Sequence, residues 1–131
     1  MLQIFQDTMH VLVVDDVQVD RFILKKLLMP SYGVTTLSSS KEAVAFALSH
    51  NFDIALLNVT LKEDMDCLEL LSDLRSISPV PFKAFATTCH VDRPRYKKLL
   101  QSGFESVMLK PFDIDRFHQL VHTHPATAIT Q

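Results

Sequence analysis

The sequence predicts an α/β fold in which helices cover both faces of one parallel sheet. Short β-branched or aliphatic runs alternate five times along the chain with longer stretches whose apolar residues recur every three or four positions. Strands this uniformly apolar are typical of sheets buried on both faces, and strict β/α alternation favours right-handed crossovers and therefore parallel pairing. We therefore predict a three-layer α/β sandwich of five strands and five helices.

Each predicted strand is short, and each is followed by one apolar helical stripe. The strands are predicted at 11–14, 34–37, 54–57, 82–86 and 107–109. The stripes are predicted at Val19, Phe22, Ile23 and Leu27; Val44, Ala47 and Leu48; Leu68, Leu71 and Leu74; Tyr96, Leu99 and Leu100; and Ile114, Phe117, Leu120 and Val121. Ser40 is predicted to begin the second helix, and Asp92, two residues before Pro94, the fourth.

The chain has the size and composition of one ordinary globular domain. It contains 131 residues, of which 47% are hydrophobic and 21% are charged, and it has no repeat or low-complexity linker. We predict one domain over residues 9–123, with flexible termini at 1–8 and 124–131.

Composition also excludes several classes of protein. A formal net charge of -2 disfavours binding to nucleic acid. No apolar stretch approaches the roughly 20 residues of a membrane helix, and the N-terminus lacks a signal-peptide profile, so no membrane segment is expected. Cys67 and Cys89 are predicted to be reduced thiols in a cytoplasmic protein. With only two glycines, the chain has neither a dinucleotide-binding fingerprint nor a P-loop.

Polar side chains follow four of the predicted strands. Asp15 and Asp16 come after the first strand, Asn58 ends the third, Ala86, Thr87 and Thr88 end the fourth, and Lys110 follows the fifth. The carboxyl ends of parallel strands meet at one edge of the sheet, where ligands bind in open α/β folds. Each residue alone is explained by a helix cap or a strand end. Together, two adjacent carboxylates opposite a lysine favour a site for a divalent cation or a phosphoryl group.

The chain resembles the receiver domains of response regulators in two-component signalling, and the resemblance covers nearly its whole length. The matching segments are residues 11–16 (VLVVDD), 53–58 (DIALLN), 67–71 (CLELL), Pro81, Gly103 with Phe104, and 109–112 (LKPF). The resemblance implies a flavodoxin-like (βα)5 fold with strand order 2-1-3-4-5. It also implies a signalling module and not an enzyme.

One departure from the family pattern falls on the reactive position. In the family, an aspartate at the end of the third strand accepts a phosphoryl group, and Mg²⁺ is held by that aspartate, the acid pair and a backbone carbonyl two residues on. Asn58 stands at this position, and a neutral amide is a far weaker nucleophile than a carboxylate. We predict no normal phosphorylation, no required cofactor, and weak Mg²⁺ binding by Asp15, Asp16 and the carbonyl of Thr60. A contact of Lys110 with either acid is expected to close the pocket without metal.

Further departures fall on the switch that responds to phosphorylation in the family. The hydroxyl position at the end of the fourth strand falls on Ala86, although Thr87 could supply the hydroxyl after a shift of one residue. In the family, an aromatic residue stands three positions before the lysine that Lys110 matches, and here that position is Val107. The loop at 59–66 also departs from the pattern, and Cys67 replaces the usual glycine. Both parts of the switch are therefore predicted to be missing.

The resemblance implies that partners bind the face formed by the fourth helix, fifth strand and fifth helix. A histidine kinase, a phosphotransfer protein, an output domain or a second copy would bind there, with Phe104, Val107 and Phe112 as apolar anchors. The leading hypothesis is a degenerate receiver that binds a protein partner without aspartyl phosphate. The alternatives are a phosphorylation-competent receiver whose acceptor has been substituted, naturally or deliberately, and a small metal-dependent hydrolase using Asp15 and Asp16.

Overall fold

Strands and helices alternate strictly in the computed structural model, which describes residues 8–59 and 67–123. The elements are β1 (His10–Val14), α1 (Gln18–Leu28), β2 (Gly33–Leu37), α2 (Ser40–Ala47), β3 (Ile54–Asn58), α3 (Cys67–Ile77), β4 (Lys83–Thr88), α4 (Arg93–Gln101), β5 (Ser106–Leu109) and α5 (Ile114–Val121). The predicted flexible termini, except Thr8, and most of the predicted altered loop, including Thr60, lie outside the described residues. Among the described helices, none combines the length and the apolar character that a membrane crossing requires.

The five strands form one parallel sheet in the order β2-β1-β3-β4-β5, which confirms the predicted topology. β1 pairs with β2 on one side and with β3 on the other. The chain therefore adds β2 at one side of β1 and all later strands at the other side. The carboxyl ends of β1 and β3 are therefore neighbours at the switch point of the sheet, which is where a crevice opens in folds of this kind.

Two hydrophobic cores lie on opposite faces of this sheet. Helices α2, α3 and α4 cover one face through Ala43, Ala47, Leu70, Leu71, Leu74 and Leu99. Helices α1 and α5 cover the other face through Leu24, Leu28, Phe117 and Val121. Because adjacent residues of a strand face opposite sides, each strand contributes alternate side chains to the two cores. This arrangement is the predicted three-layer sandwich.

The rotation of α1 differs from the prediction. Val19, Phe22 and Ile23, predicted to face the core, are 59%, 61% and 43% exposed. Leu24 and Leu28 are buried instead. They continue a row of i, i+4 positions that begins at Asp20, whose carboxylate contacts Lys110 across the end of the sheet. The helix carries apolar residues on more than one face, and this ion pair together with packing of the row selects the buried face.

The bounds of β4 and the cap of α2 also differ from the prediction. β4 runs from Lys83 to Thr88, beginning one residue later and ending two residues later than predicted. The cap of α2 is Ser39, whose side chain accepts a hydrogen bond from the Glu42 amide at 3.1 Å, so Ser40 is already helical. Asp92 caps α4 as predicted, accepting from the Arg95 amide at 2.9 Å. The longer β4 decides which of its side chains reach the candidate site.

Candidate functional site

The side chains at the carboxyl edge of the sheet surround one open cleft of about 340 Å³. The cleft is lined by Asp16, Val17, Asp20, Asn58, Thr88, Cys89, His90 and Lys110. Backbone hydrogen bonds fix its floor, because the Val59 amide donates to the Thr87 carbonyl and the Lys110 amide to the Thr88 carbonyl, both at 2.9 Å. The structure thus brings together one acid of the predicted pair, the amide and the lysine, with the second acid directly behind them.

Lys110 is held between two carboxylates. Its Nζ lies 2.9 Å from Asp15 Oδ2 and 2.8 Å from Asp20 Oδ2. Burial of the ammonium lowers the pKa of Lys110, but hydrogen bonds and charge attraction from Asp20 and Asp15 outweigh burial, so this pKa is raised above its usual value. The expected contact between Lys110 and the acid pair therefore forms with Asp15, and it includes a second acid that the sequence did not indicate.

Asp20 was missed because it lies on a helix and not at the end of a strand. It belongs to the first turn of α1, one turn after Asp16. Its side chain reaches the cleft because the row through Leu24 and Leu28 faces the sheet. The available signal was the i, i+4 spacing of Asp20 from those leucines, but using it required knowing which face of α1 is buried.

Asp15 is fully buried, and both of its carboxylate oxygens contact neighbouring groups. Its Oδ1 accepts from the Val17 amide at 2.9 Å, its Oδ2 contacts Lys110, and its backbone carbonyl accepts from Arg21 Nη1 at 2.7 Å. The carboxylate therefore holds the β1–α1 turn and the lysine in place at the same time.

Asn58 ends β3 and is nearly buried. Its Nδ2 donates to Asp16 Oδ1 at 3.3 Å. A carboxylate in this place would repel Asp16, whereas the amide offers it a hydrogen-bond donor. Asparagine at this place thus differs from a carboxylate in both its charge and its hydrogen-bonding character.

The donors around the cleft fit a tightly bound Mg²⁺ poorly. Both oxygens of Asp15 have protein partners, and one oxygen of Asp16 contacts the Asn58 amide. Across residues 8–59 and 67–123, no group of three acidic, histidine or cysteine side chains is placed to hold a metal ion. Mg²⁺ favours several hard anionic oxygens in a regular arrangement. Weak binding at Asp15, Asp16 and Thr60 stays a prediction, and Thr60 lies outside the described residues.

The hydroxyl at the end of β4 corrects the sequence interpretation. Ala86, where the hydroxyl was expected to be missing, is buried in the core beneath α3 and α4. Thr87, the alternative, faces the opposite layer and lines a separate cleft beside Ile23 and Phe112. Thr88 lines the candidate site, and its hydroxyl donates to the His90 carbonyl at 3.0 Å. The hydroxyl in this cleft thus comes from Thr88 and not from position 86 or 87, and the loop after β4 adds Cys89 and His90, which were not predicted.

Two predicted surface anchors are instead core residues. Phe104 and Val107 are 3% and 7% exposed, and Val107 pairs in register with Ala86 on the covered face of the sheet. Phe112 is partly buried against the core of the α1 and α5 layer. The exposed large apolar side chains of α4 and β5 are Tyr96, Leu100 and Leu109. A side chain that fills the core has no surface to offer a partner, so Phe104 and Val107 were wrong as anchors.

Comparison with known proteins identifies one family. The model of the family "Response regulator receiver domain" matches residues 11–122. Two-component response regulator ORR3 of rice (Oryza sativa subsp. indica) is 29% identical over 106 residues, which cover 78% of this chain and 79% of that protein.

Solved structures share the fold. A CheY-like receiver domain protein from Methanospirillum hungatei JF-1 has 23% identity and a TM-score of 0.75, with 86% of this chain and 90% of that chain covered. The signal receiver domain of an HD domain-containing protein from Pseudomonas fluorescens Pf-5 has 20% identity and a TM-score of 0.79, with 95% and 100% covered.

Proposed function

Since the chain belongs to the response regulator receiver domain family, we propose that it is a protein-interaction module of two-component signalling whose output does not depend on aspartyl phosphate. It is not an enzyme in this proposal, and it requires no cofactor. Mg²⁺ binds weakly at most in this proposal, because both oxygens of Asp15 and one oxygen of Asp16 already have protein partners.

The observation that carries the proposal is the Asn58 amide at the end of β3. Its Nδ2 donates to Asp16, so the group that faces the acid pair is a hydrogen-bond donor and not a nucleophilic oxygen anion. A carboxylate forms an acyl phosphate by attacking phosphorus, whereas a neutral amide oxygen does so far less readily. The pocket therefore keeps the shape of a receiver site without its reacting group.

Thr88 favours a second candidate, a receiver that lost phosphorylation through the single substitution at position 58. Its hydroxyl lies in the same cleft as Lys110, where it could bind an oxygen of a phosphoryl group. The hydrolase hypothesis gains no such support, because Asp15 is held by Lys110 and the Val17 amide and is not available as a base.

The proposed partner-binding face consists of α4, β5 and α5. Exposed Tyr96, Leu100 and Leu109 supply its apolar surface. The chain as a whole has a formal charge of -2, but α4 carries four basic and no acidic side chains, at Arg93, Arg95, Lys97 and Lys98. Charge complementarity favours an acidic surface on the partner. That partner is a histidine kinase, a phosphotransfer protein, an output domain or a second copy of this chain.

The compartment proposed is the cytoplasm. Cys89 is an exposed free thiol. Unpaired cysteines are usual where the medium is reducing.

The test is incubation of the wild-type protein with Mg²⁺ and acetyl phosphate, followed by intact-mass measurement. Because Asn58 offers no nucleophilic carboxylate, we expect the mass to stay unchanged, while a receiver with an aspartate acceptor, treated in parallel, gains one phosphoryl group. An acid-labile gain of that mass on the wild-type chain would contradict the proposal.

A further inference from the structure

We propose that Asp20 is a positioning residue. It is a second carboxylate partner of Lys110, besides Asp15, and by holding the ammonium it keeps the pocket inactive even when an acceptor carboxylate is restored. The inference rests on the proposed function, and it concerns a side chain that is neither at a strand end nor part of the acid pair. It predicts that Asn58→Asp alone recovers little phosphorylation and that neutralising Asp20 as well recovers much more.

The geometry gives Asp20 this role. Lys110 Nζ carries three protons, and two of them point to Asp15 Oδ2 at 2.9 Å and Asp20 Oδ2 at 2.8 Å. The two contacts hold the ammonium from different elements, since Asp15 follows β1 and Asp20 lies on α1. The Lys110 ammonium can therefore leave this position only if its contact with Asp15 or with Asp20 breaks.

Packing holds Asp20 in place. Its row on α1 continues through Leu24 and Leu28, which are buried against the sheet with Phe117. Rotation of the helix that would withdraw the carboxylate from Lys110 would also pull these leucines out of the core. The core therefore fixes the helix that carries Asp20, which keeps its carboxylate within reach of Lys110.

The charge balance of the cleft explains why the lysine matters. Among the described residues that line the cleft, Lys110 is the only lysine or arginine. It contacts Asp15 and Asp20, and Asp16 lines the same cleft. In Asn58→Asp, a carboxylate oxygen attacks the phosphorus of an acyl phosphate, the bond from phosphorus to the acyl oxygen breaks, and the carboxylate product leaves with the electron pair. The transferring group is anionic, so its transition state is stabilised by a cation that can move towards it.

The experiment compares wild type, Asp20→Asn, Asn58→Asp and Asn58→Asp/Asp20→Asn with Mg²⁺ and acetyl phosphate. The initial rate of phosphoryl gain is measured by intact mass over a range of donor concentrations. We expect no gain in the first two proteins, slow gain in Asn58→Asp, and gain roughly tenfold to hundredfold faster in the double variant because Lys110 is released. Asn58→Asp/Asp20→Glu keeps a carboxylate and is expected to stay slow.

Controls separate positioning from stability. Asn58→Asp/Asp115→Asn removes an exposed acid from the first turn of α5 and is expected to react at the Asn58→Asp rate. Thermal unfolding reports whether each variant is folded, and Asn58→Asp/Asp20→Ser serves if the asparagine variant does not fold.

The outcomes distinguish the two proposals. Phosphorylation of the wild-type chain would contradict the proposed function, whatever Asp20 does. Equal rates in Asn58→Asp and the folded double variants without an acid at position 20 would overturn the role of Asp20, while leaving the silence of the wild-type chain intact.

Discussion

Replacing Lys110 by methionine is expected to lower the free energy of unfolding by about 3 kcal/mol. The variant keeps the length of the side chain but leaves the fully buried Asp15 carboxylate without a cation, with Asp16 and Asp20 nearby. An unpaired buried charge lowers the free energy of unfolding by much more than a surface ion pair raises it. Urea unfolding at neutral pH, read as a change in midpoint at constant slope, measures the loss.

Two companion variants test the reason for this loss. Lys98→Met removes an exposed lysine of α4 and is expected to change stability by less than about 0.5 kcal/mol. Asp15→Asn combined with Lys110→Met removes the buried anion together with its partner, and is expected to be about 1 to 2 kcal/mol more stable than the sum of the single losses. Strict additivity of the two changes would mean that Asp15 and Lys110 are not energetically coupled.

The second large effect is expected at Leu28, on the buried face of α1. Leu28→Ala removes a fully buried side chain from the core shared with Phe117 and is expected to cost about 3 kcal/mol. For a domain of this size that is a fall of roughly 10 °C in the unfolding midpoint. Differential scanning calorimetry measures it.

Phe22→Ala is the matched control on the same helix. Phe22 is mostly exposed, and the Lys26 ammonium lies 5.7 Å above its ring, so the loss is expected to stay below about 1 kcal/mol. A loss at Phe22 as large as the loss expected at Leu28 would contradict the exposed position of Phe22 on α1.

Much of the fold could be predicted from the sequence because its signals are local. The run from Val11 to Val14 needs two covered faces, and five such runs alternating with helices allow few arrangements other than a parallel sandwich. The buried face of α1, in contrast, could not be predicted from local signals. Val19, Phe22 and Ile23 form as good a stripe as Leu24 and Leu28, and only contacts with β strands and Lys110 decide between them.

The candidate site was predictable where its residues end strands. Asp16, Asn58 and Lys110 come together because parallel strands place their carboxyl ends at one edge. Thr88 was named at the end of the fourth strand but was not assigned as the switch hydroxyl, which was placed at Ala86 or Thr87. Because β4 continues to Thr88, and residues two apart share a face of the strand, Ala86 lies in the core and Thr88, on the same face, reaches the cleft. Asp20 could be assigned to the site only from its contact with Lys110 in the folded structure, because no spacing in the sequence indicates that contact.

The most direct test of the silent pocket is an amide NMR comparison of the wild-type protein in Mg²⁺ alone and in Mg²⁺ with acetyl phosphate. With Asn58 facing Asp16 and Lys110 held by Asp15 and Asp20, the resonances of the cleft are predicted to keep their positions when the donor is added. A second set of resonances for Asn58, Thr88 and Lys110 that grows with donor and decays after its removal would contradict the account.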